Sequence, residues 1–243
     1  MIWFWFSDRR VSSRRGSDRR VKMSKKRDVV TLIIGFVGIM VGVLCTRFLN
    51  MAMMGLPVEV RMFTFIAAYW VIAIAPVILA IVNKEKPADF GFTKEKIGLQ
   101  ILIGIGLGLL MSAVLTLFPH LLGLGEYVNN GKGYTYLWQY AWEFIYCILG
   151  VGLVEEFAFR GFIYRRFKNL FGKDFLAVIC SSVLFGLFHI FGGNLIQIVI
   201  TGLIGALFCF FKLKIRNCST LSLIIAHGVY DAMITVWAGV FLG

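Results

Sequence analysis

Polar and apolar residues fall along this chain in long blocks, with none of the two-residue alternation of a membrane β-strand. Seven apolar runs occupy 29–49, 62–82, 98–118, 139–163, 175–191, 194–211 and 220–242. Each is near the ~20 residues a helix needs to cross about 30 Å of hydrocarbon. The pattern predicts an all-α fold, a polytopic membrane helical bundle of about seven transmembrane helices. It forms one transmembrane domain over 29–243, preceded by a basic, disordered N-terminal arm over 1–28. In that arm Ser-Asp-Arg-Arg occurs at 7–10 and again at 17–20, and Met23-Ser-Lys-Lys-Arg-Asp offers a second start of translation. Between the runs lie short connections. Gly104, Gly106 and Gly108 in the third run predict close helix packing. Pro76 predicts a kink in the second, and Asp89-Phe90-Gly91-Phe92 predicts a turn that docks against the bundle.

Composition changes the picture little and charge changes it more. Hydrophobic residues make up 59% and charged residues 16%, against about 25% charged in a soluble domain. The five cysteines form no C-x-x-C pair. They read as small buried hydrophobes, and neither a disulfide framework nor a metal site is expected from them. The net charge of +12 is concentrated before run one, between runs two and three, and after runs four and six. The opposite loops hold only Arg47, Arg61 and Lys132. By the positive-inside rule this places a multi-pass protein in the cell membrane with its N-terminus in the cytoplasm. No basic cluster sits on a soluble domain, so nucleic acid is not an expected partner.

The apolar runs are interrupted where interruption costs most. Glu155-Glu156-Phe-Ala-Phe-Arg160 lies inside the fourth run, and ionisable groups near the bilayer centre cost about 2.5–3.5 kcal/mol each on insertion scales. On a helix Glu156 and Arg160 share a face and can pair. Glu155 is rotated from Glu156 by about 100° and left to other partners. The fifth run ends Phe185-Gly-Leu-Phe-His189, and the seventh carries His227-Gly-Val-Tyr-Asp231, with its His and Asp on one face. The third histidine, His120, stands at the far end of run three, where headgroups and water suffice to explain it. A desolvated Glu155 is a candidate base toward water. His189 could share that water and return the proton to a leaving amine, and His227 beside Asp231 could donate to an oxyanion. No Ser or Cys accompanies a His, so no covalent nucleophile is indicated. A carboxylate with two histidines would also suit zinc, yet no His-Glu-x-x-His pairing is present. A metal is therefore the minority reading, and no other cofactor is expected.

Glu-Glu-x-x-x-Arg at 155–160, Phe-x-x-x-His at 185–189 and His-x-x-x-Asp at 227–231 resemble the three motifs of the CPBP family. That family, also called Abi, includes CAAX prenyl endopeptidases and bacteriocin-processing or self-immunity proteins. The resemblance covers about 139–242, the expected catalytic helices, and the first three runs match only as apolar helices. It implies a metal-independent intramembrane glutamic endopeptidase that acts on a peptide precursor or a membrane-associated protein. Glu155 and His189 would activate water, His227 and Asp231 would form the oxyanion site, and Glu156 and Arg160 would organise it. CAAX-type members carry Asn where this chain has Asp231, so Asp231 is expected to orient His227 or to be protonated. The alternative is a non-catalytic self-immunity or scaffold protein of the same fold, against which the intact motif set argues. A transporter or proton relay is a third class, and the internal repeats that class favours are absent from the sequence. The basic loops make a site opening toward the cytoplasm the expectation.

Overall fold

The structure is a computed structural model that describes residues 4–128 and 133–242. Its described residues form a helical membrane bundle. We label its long helices α1 (Phe4–Ala52), α2 (Val58–Val82), α3 (Ile97–Leu121), α4 (137–171), α5 (Asp174–Phe188), α6 (Leu195–Lys214) and α7 (Thr220–Leu242). Five are long and apolar enough to cross a membrane: the Ser24–Ala52 part of α1, then α2, α3, α6 and α7. Helix α5 is apolar but shorter, and α4 winds partly as π-helix. The backbone is helical from Phe4.

Helix α7 is the centre of the bundle. Of its most apolar window 56% is buried, against 22–28% for the other spans. The outward faces carry a belt of exposed aliphatic residues, among them Ile33, Ile81, Leu102 and Leu203, the surface a bilayer would cover. Glycine sets how closely α7 is approached. Of the three glycines in α3, two meet it: a Cβ on Gly104 or Gly108 would stand 2.7 Å from a backbone carbonyl oxygen, that of Ser222 or Ala226, whereas Gly106 faces open space. Helix α4 comes closer still. A Cβ on Gly152 would lie 2.5 Å from the Ile224 carbonyl oxygen, and one on Gly228 would lie 2.5 Å from the backbone of Ile148. Since those obstacles are backbone, no rotamer change relieves them. Gly228→Ala is therefore expected to cost about 1–3 kcal/mol or more, read as a lower thermal midpoint and reduced accumulation in membranes. Gly106→Ala is the control, and it should be neutral or slightly stabilising.

Several local expectations meet their structural counterparts. Pro76 has no N–H to give to Ile72, and the backbone tightens into a 3₁₀ turn at Val71–Ala73 just before it. The Asp89–Phe92 turn does dock. Phe90 is buried with its ring 5.2 Å from that of Phe157, and Gly91, at φ +85°, turns the chain. Its carbonyl accepts from the Thr220 N–H at 3.1 Å. In that turn Asp89 accepts from the Lys86 N–H and pairs with Arg165; both contacts hold its carboxyl below the usual range, the backbone bond most. The basic loop residues are also less free than a topology signal requires. Arg166 is buried between Asp28 (3.1 Å) and Glu85, and Arg165 adds a second pair to Glu85. His120 departs from expectation: it is buried and stacks on Phe241, centroids 5.2 Å apart, because the ends of α3 and α7 converge. Cys147, Cys209 and Cys218 are buried, whereas Cys45 faces outward from α1, and all five are free thiols.

Candidate active site

Helix α4 departs from α geometry on both sides of its paired acids. Residues Cys147–Gly152 and Phe157–Ile163 are π-helical, and only Leu153–Glu156 between them is regular. Wider π turns occur preferentially at functional sites and displace backbone groups from the ladder. Two carbonyls in these stretches accept from side chains: Leu149 from Trp70 Nε1 at 2.8 Å, and Arg160 from Lys212 Nζ at 2.9 Å. Lys212 also reaches Thr220 Oγ1 (2.9 Å) and the Phe90 carbonyl. It thereby ties the docked turn, the start of α7 and α4 together.

The pairing expected between Glu156 and Arg160 is present at 3.0 Å, with both side chains almost wholly buried. Glu156 has a second partner. His227 Nδ1 lies 2.7 Å from the same Oε1 atom, and a carboxylate can only accept, so Nδ1 carries the proton there. That bond turns Nε2 toward the other acids: 3.7 Å from Glu155 Oε2 and 3.4 Å from Asp231 Oδ2. Glu155 is buried, and its Oε1 accepts a hydrogen bond from the Tyr69 hydroxyl of α2. Asp231 is the more open of the three acids, its side chain 26% exposed. Aromatic rings wall the cluster. The Arg160 guanidinium sits 4.0 Å from the Phe185 ring centroid and 5.2 Å from that of Phe208, a cation–π cradle that compensates its burial. Phe208 also stacks on the His227 ring at 5.2 Å.

His189 stands apart from this cluster. It caps α5, and its Nδ1 lies 3.0 Å from the Phe185 carbonyl oxygen; a carbonyl only accepts, so Nδ1 is the protonated nitrogen and Nε2 is left free. The ring lines a cavity of about 190 Å³ together with Tyr69, Thr46, Arg47 and Asn50. His189 and Glu155 are thus linked through Tyr69. The cavity lies at the end of α1 and past the end of α5, opposite the basic loops. On the side of the basic loops the docked Phe90 turn packs against Phe157 and Gly161. An apolar groove of about 390 Å³, lined by Trp70, Val77, Phe92 and Phe157 among others, runs along the outer side of α4 at Leu153 and Val154.

Three residues near the site escape the motif pattern. Tyr69 was hidden among the aromatics of an apolar run and carries no spacing signal. Lys212 looked like one more basic residue at a helix end. Glu143 is a third buried acid of α4, accepting from Tyr134 Oη at 2.7 Å; as an acid inside an apolar run it has the same signal as Glu155. Among the described residues, no three His, Cys, Asp or Glu side chains converge as ligands for one metal ion.

No curated protein and no solved structure matches the chain. Residues 137–233 match the sequence model of the family described as Type II CAAX prenyl endopeptidase Rce1-like. That stretch runs from the start of α4 into α7 and contains all six polar residues of the three motifs, from Glu155 to Asp231. Over that stretch, which is less than half of its length, the chain is similar to the Rce1-like CAAX prenyl endopeptidases.

Proposed function

We propose that this protein hydrolyses peptide bonds within the membrane with a water activated by Glu155, on a peptide precursor or a membrane-associated protein. The observation that carries this is the facing of Glu155 Oε2 and His227 Nε2 at 3.7 Å in a buried cluster, within the stretch that matches a peptidase family. Both atoms can reach one oxygen placed between them. Glu155 accepts a proton from water as its oxygen attacks the scissile carbonyl carbon. Negative charge then grows on the carbonyl oxygen, and His227 donates to it from Nε2. Glu156 supports the positive imidazolium through Nδ1, and Arg160 balances Glu156. Asp231 holds Nε2 in line from the open side. Collapse of the intermediate breaks the C–N bond, and the proton taken from water passes to the leaving nitrogen. It comes directly from Glu155 or by way of His189, whose free Nε2 is on the cavity wall.

The test is peptide mass spectrometry on membranes containing the wild-type protein or Glu155→Ala, each with and without a strong chelator. New peptide termini are expected with the wild type alone and should persist under chelation. Cleavage that vanishes with the chelator and returns with zinc would replace this mechanism by a metal-dependent one. Termini equally present with Glu155→Ala would remove the assignment altogether.

A further inference from the structure

The two oxygens of Glu155 have different surroundings. Oε2 faces His227 Nε2 at 3.7 Å, across the gap assigned above to the attacking water. Oε1 is occupied, accepting from the Tyr69 hydroxyl. A phenol is a far weaker acid than a carboxyl group, so Tyr69 keeps its proton and donates it as a hydrogen bond. The phenol ring is itself held, meeting Tyr146 edge to face with centroids 6.3 Å apart. One residue on, Trp70 Nε1 donates to the Leu149 carbonyl at 2.8 Å and fastens α2 to α4. Just beyond, α2 tightens into the 3₁₀ turn at Val71–Ala73. Helix α1 packs on that turn with no side chain between, since a Cβ on Gly42 would stand 2.7 Å from Ile72 Cα. Tyr69 is thus placed by contacts with two helices, on a segment clamped from both sides. Glu155 needs such a holder, because a long side chain has many rotamers and a carboxylate can turn either oxygen toward a donor.

We propose that Tyr69 is a positioning residue for the base: its hydroxyl holds Glu155 by Oε1, so that Oε2 is the oxygen presented to the attacking water. When Oε2 takes the proton from water the carboxyl becomes neutral, and Oε1 becomes its carbonyl oxygen, which still accepts from Tyr69. The same hydrogen bond therefore lasts through the proton transfer. It keeps the carboxyl aimed until the proton leaves for the departing nitrogen. No bond to Tyr69 is made or broken, and its proton is never transferred. Aim matters here, as a misplacement of about 1 Å can cost on the order of 10²-fold in rate. Tyr69 lies outside residues 137–233, so a helix that precedes the matched stretch completes the site. The inference rests on the endopeptidase reading above.

The experiment compares the purified full chain in lipid vesicles with Tyr69→Phe, Trp70→Phe, Glu155→Gln and the double variant Tyr69→Phe with Glu155→Gln. The probe is an internally quenched peptide built on a sequence that the mass spectrometry above finds cleaved, and rates are taken per folded protein. Tyr69→Phe removes the hydroxyl and keeps the ring against Tyr146. It is expected to lower kcat about 10–100-fold with KM within about twofold of the wild type. Trp70→Phe removes the other hydrogen bond from α2 to α4; it should lower the thermal midpoint and keep kcat within about threefold. In the Glu155→Gln background no base is left to aim, so adding Tyr69→Phe should change the residual rate by less than about twofold. A kcat for Tyr69→Phe close to that of the wild type overturns the inference, as does a loss carried by KM. Equal losses in Tyr69→Phe and Trp70→Phe overturn it too, as does a second full loss in the double variant; Tyr69 would then only tether α2. A wild type that yields no cleaved peptide removes the endopeptidase reading, and the inference with it.

Discussion

Glu155→Gln is expected to lower peptide hydrolysis by about 10²–10⁴-fold, the usual contribution of a general base, while the protein accumulates as the wild type does. The substitution keeps the side chain's shape, and the Gln carbonyl can still accept from the Tyr69 hydroxyl that Glu155 holds. It removes only the capacity to take a proton. No buried cation depends on Glu155 for its charge balance, since the partner of Arg160 is Glu156. Folding and chemistry should therefore separate cleanly at this position. Turnover of a cleaved peptide, measured beside the amount of protein in the membrane, checks both halves. A variant that retains most of its turnover would place the base elsewhere, with His227 the next candidate.

The neighbouring acid should behave in the opposite way. Glu156→Gln is expected to reduce accumulation and thermal stability by about 3–5 kcal/mol, because it strands Arg160 as a buried charge without its partner. Arg160→Met should be comparably damaging by stranding Glu156. The double variant Glu156→Gln with Arg160→Met replaces a buried ion pair by neutral groups and should recover much of the lost stability. It should not recover activity, since His227 Nδ1 loses the carboxylate it donates to at 2.7 Å. Stability and turnover measured across this cycle give the separation. Full activity in the double variant would mean that Glu156 serves only to neutralise Arg160.

Little separates the surroundings of the proposed base, Glu155, from those of the proposed positioning residue, Glu156. They are adjacent, both buried, and both within reach of His227. What differs is the nitrogen each one faces and the second partner each holds, a phenol for one and a guanidinium for the other. The π turns on either side of Leu153–Glu156 make straightforward helical phase a poor guide there. The Gly152 and Gly228 contacts then let α7 approach closely enough for His227 to bridge the two.

Hydropathy determined the fold class from sequence alone, because burying backbone polar groups in lipid leaves a helix as the answer for every long apolar run. The same logic exposed Glu155, Glu156, Arg160, His227 and Asp231, since each stands where an ionisable group is expensive. The Glu156–Arg160 pair was legible because contacts four residues apart on a helix are local. Tyr69 and Lys212 were not legible, as their contacts depend on which helices meet and at what depth. The same holds for His189, whose short helix ends at the cavity and leaves it joined to Glu155 through Tyr69. The docking of Phe90 under α4 was also a tertiary outcome, since charge counts bear only on which way a chain crosses the bilayer. Patterns along the chain report what each residue costs in a membrane; where its partner comes from is decided by how closely the helices pack.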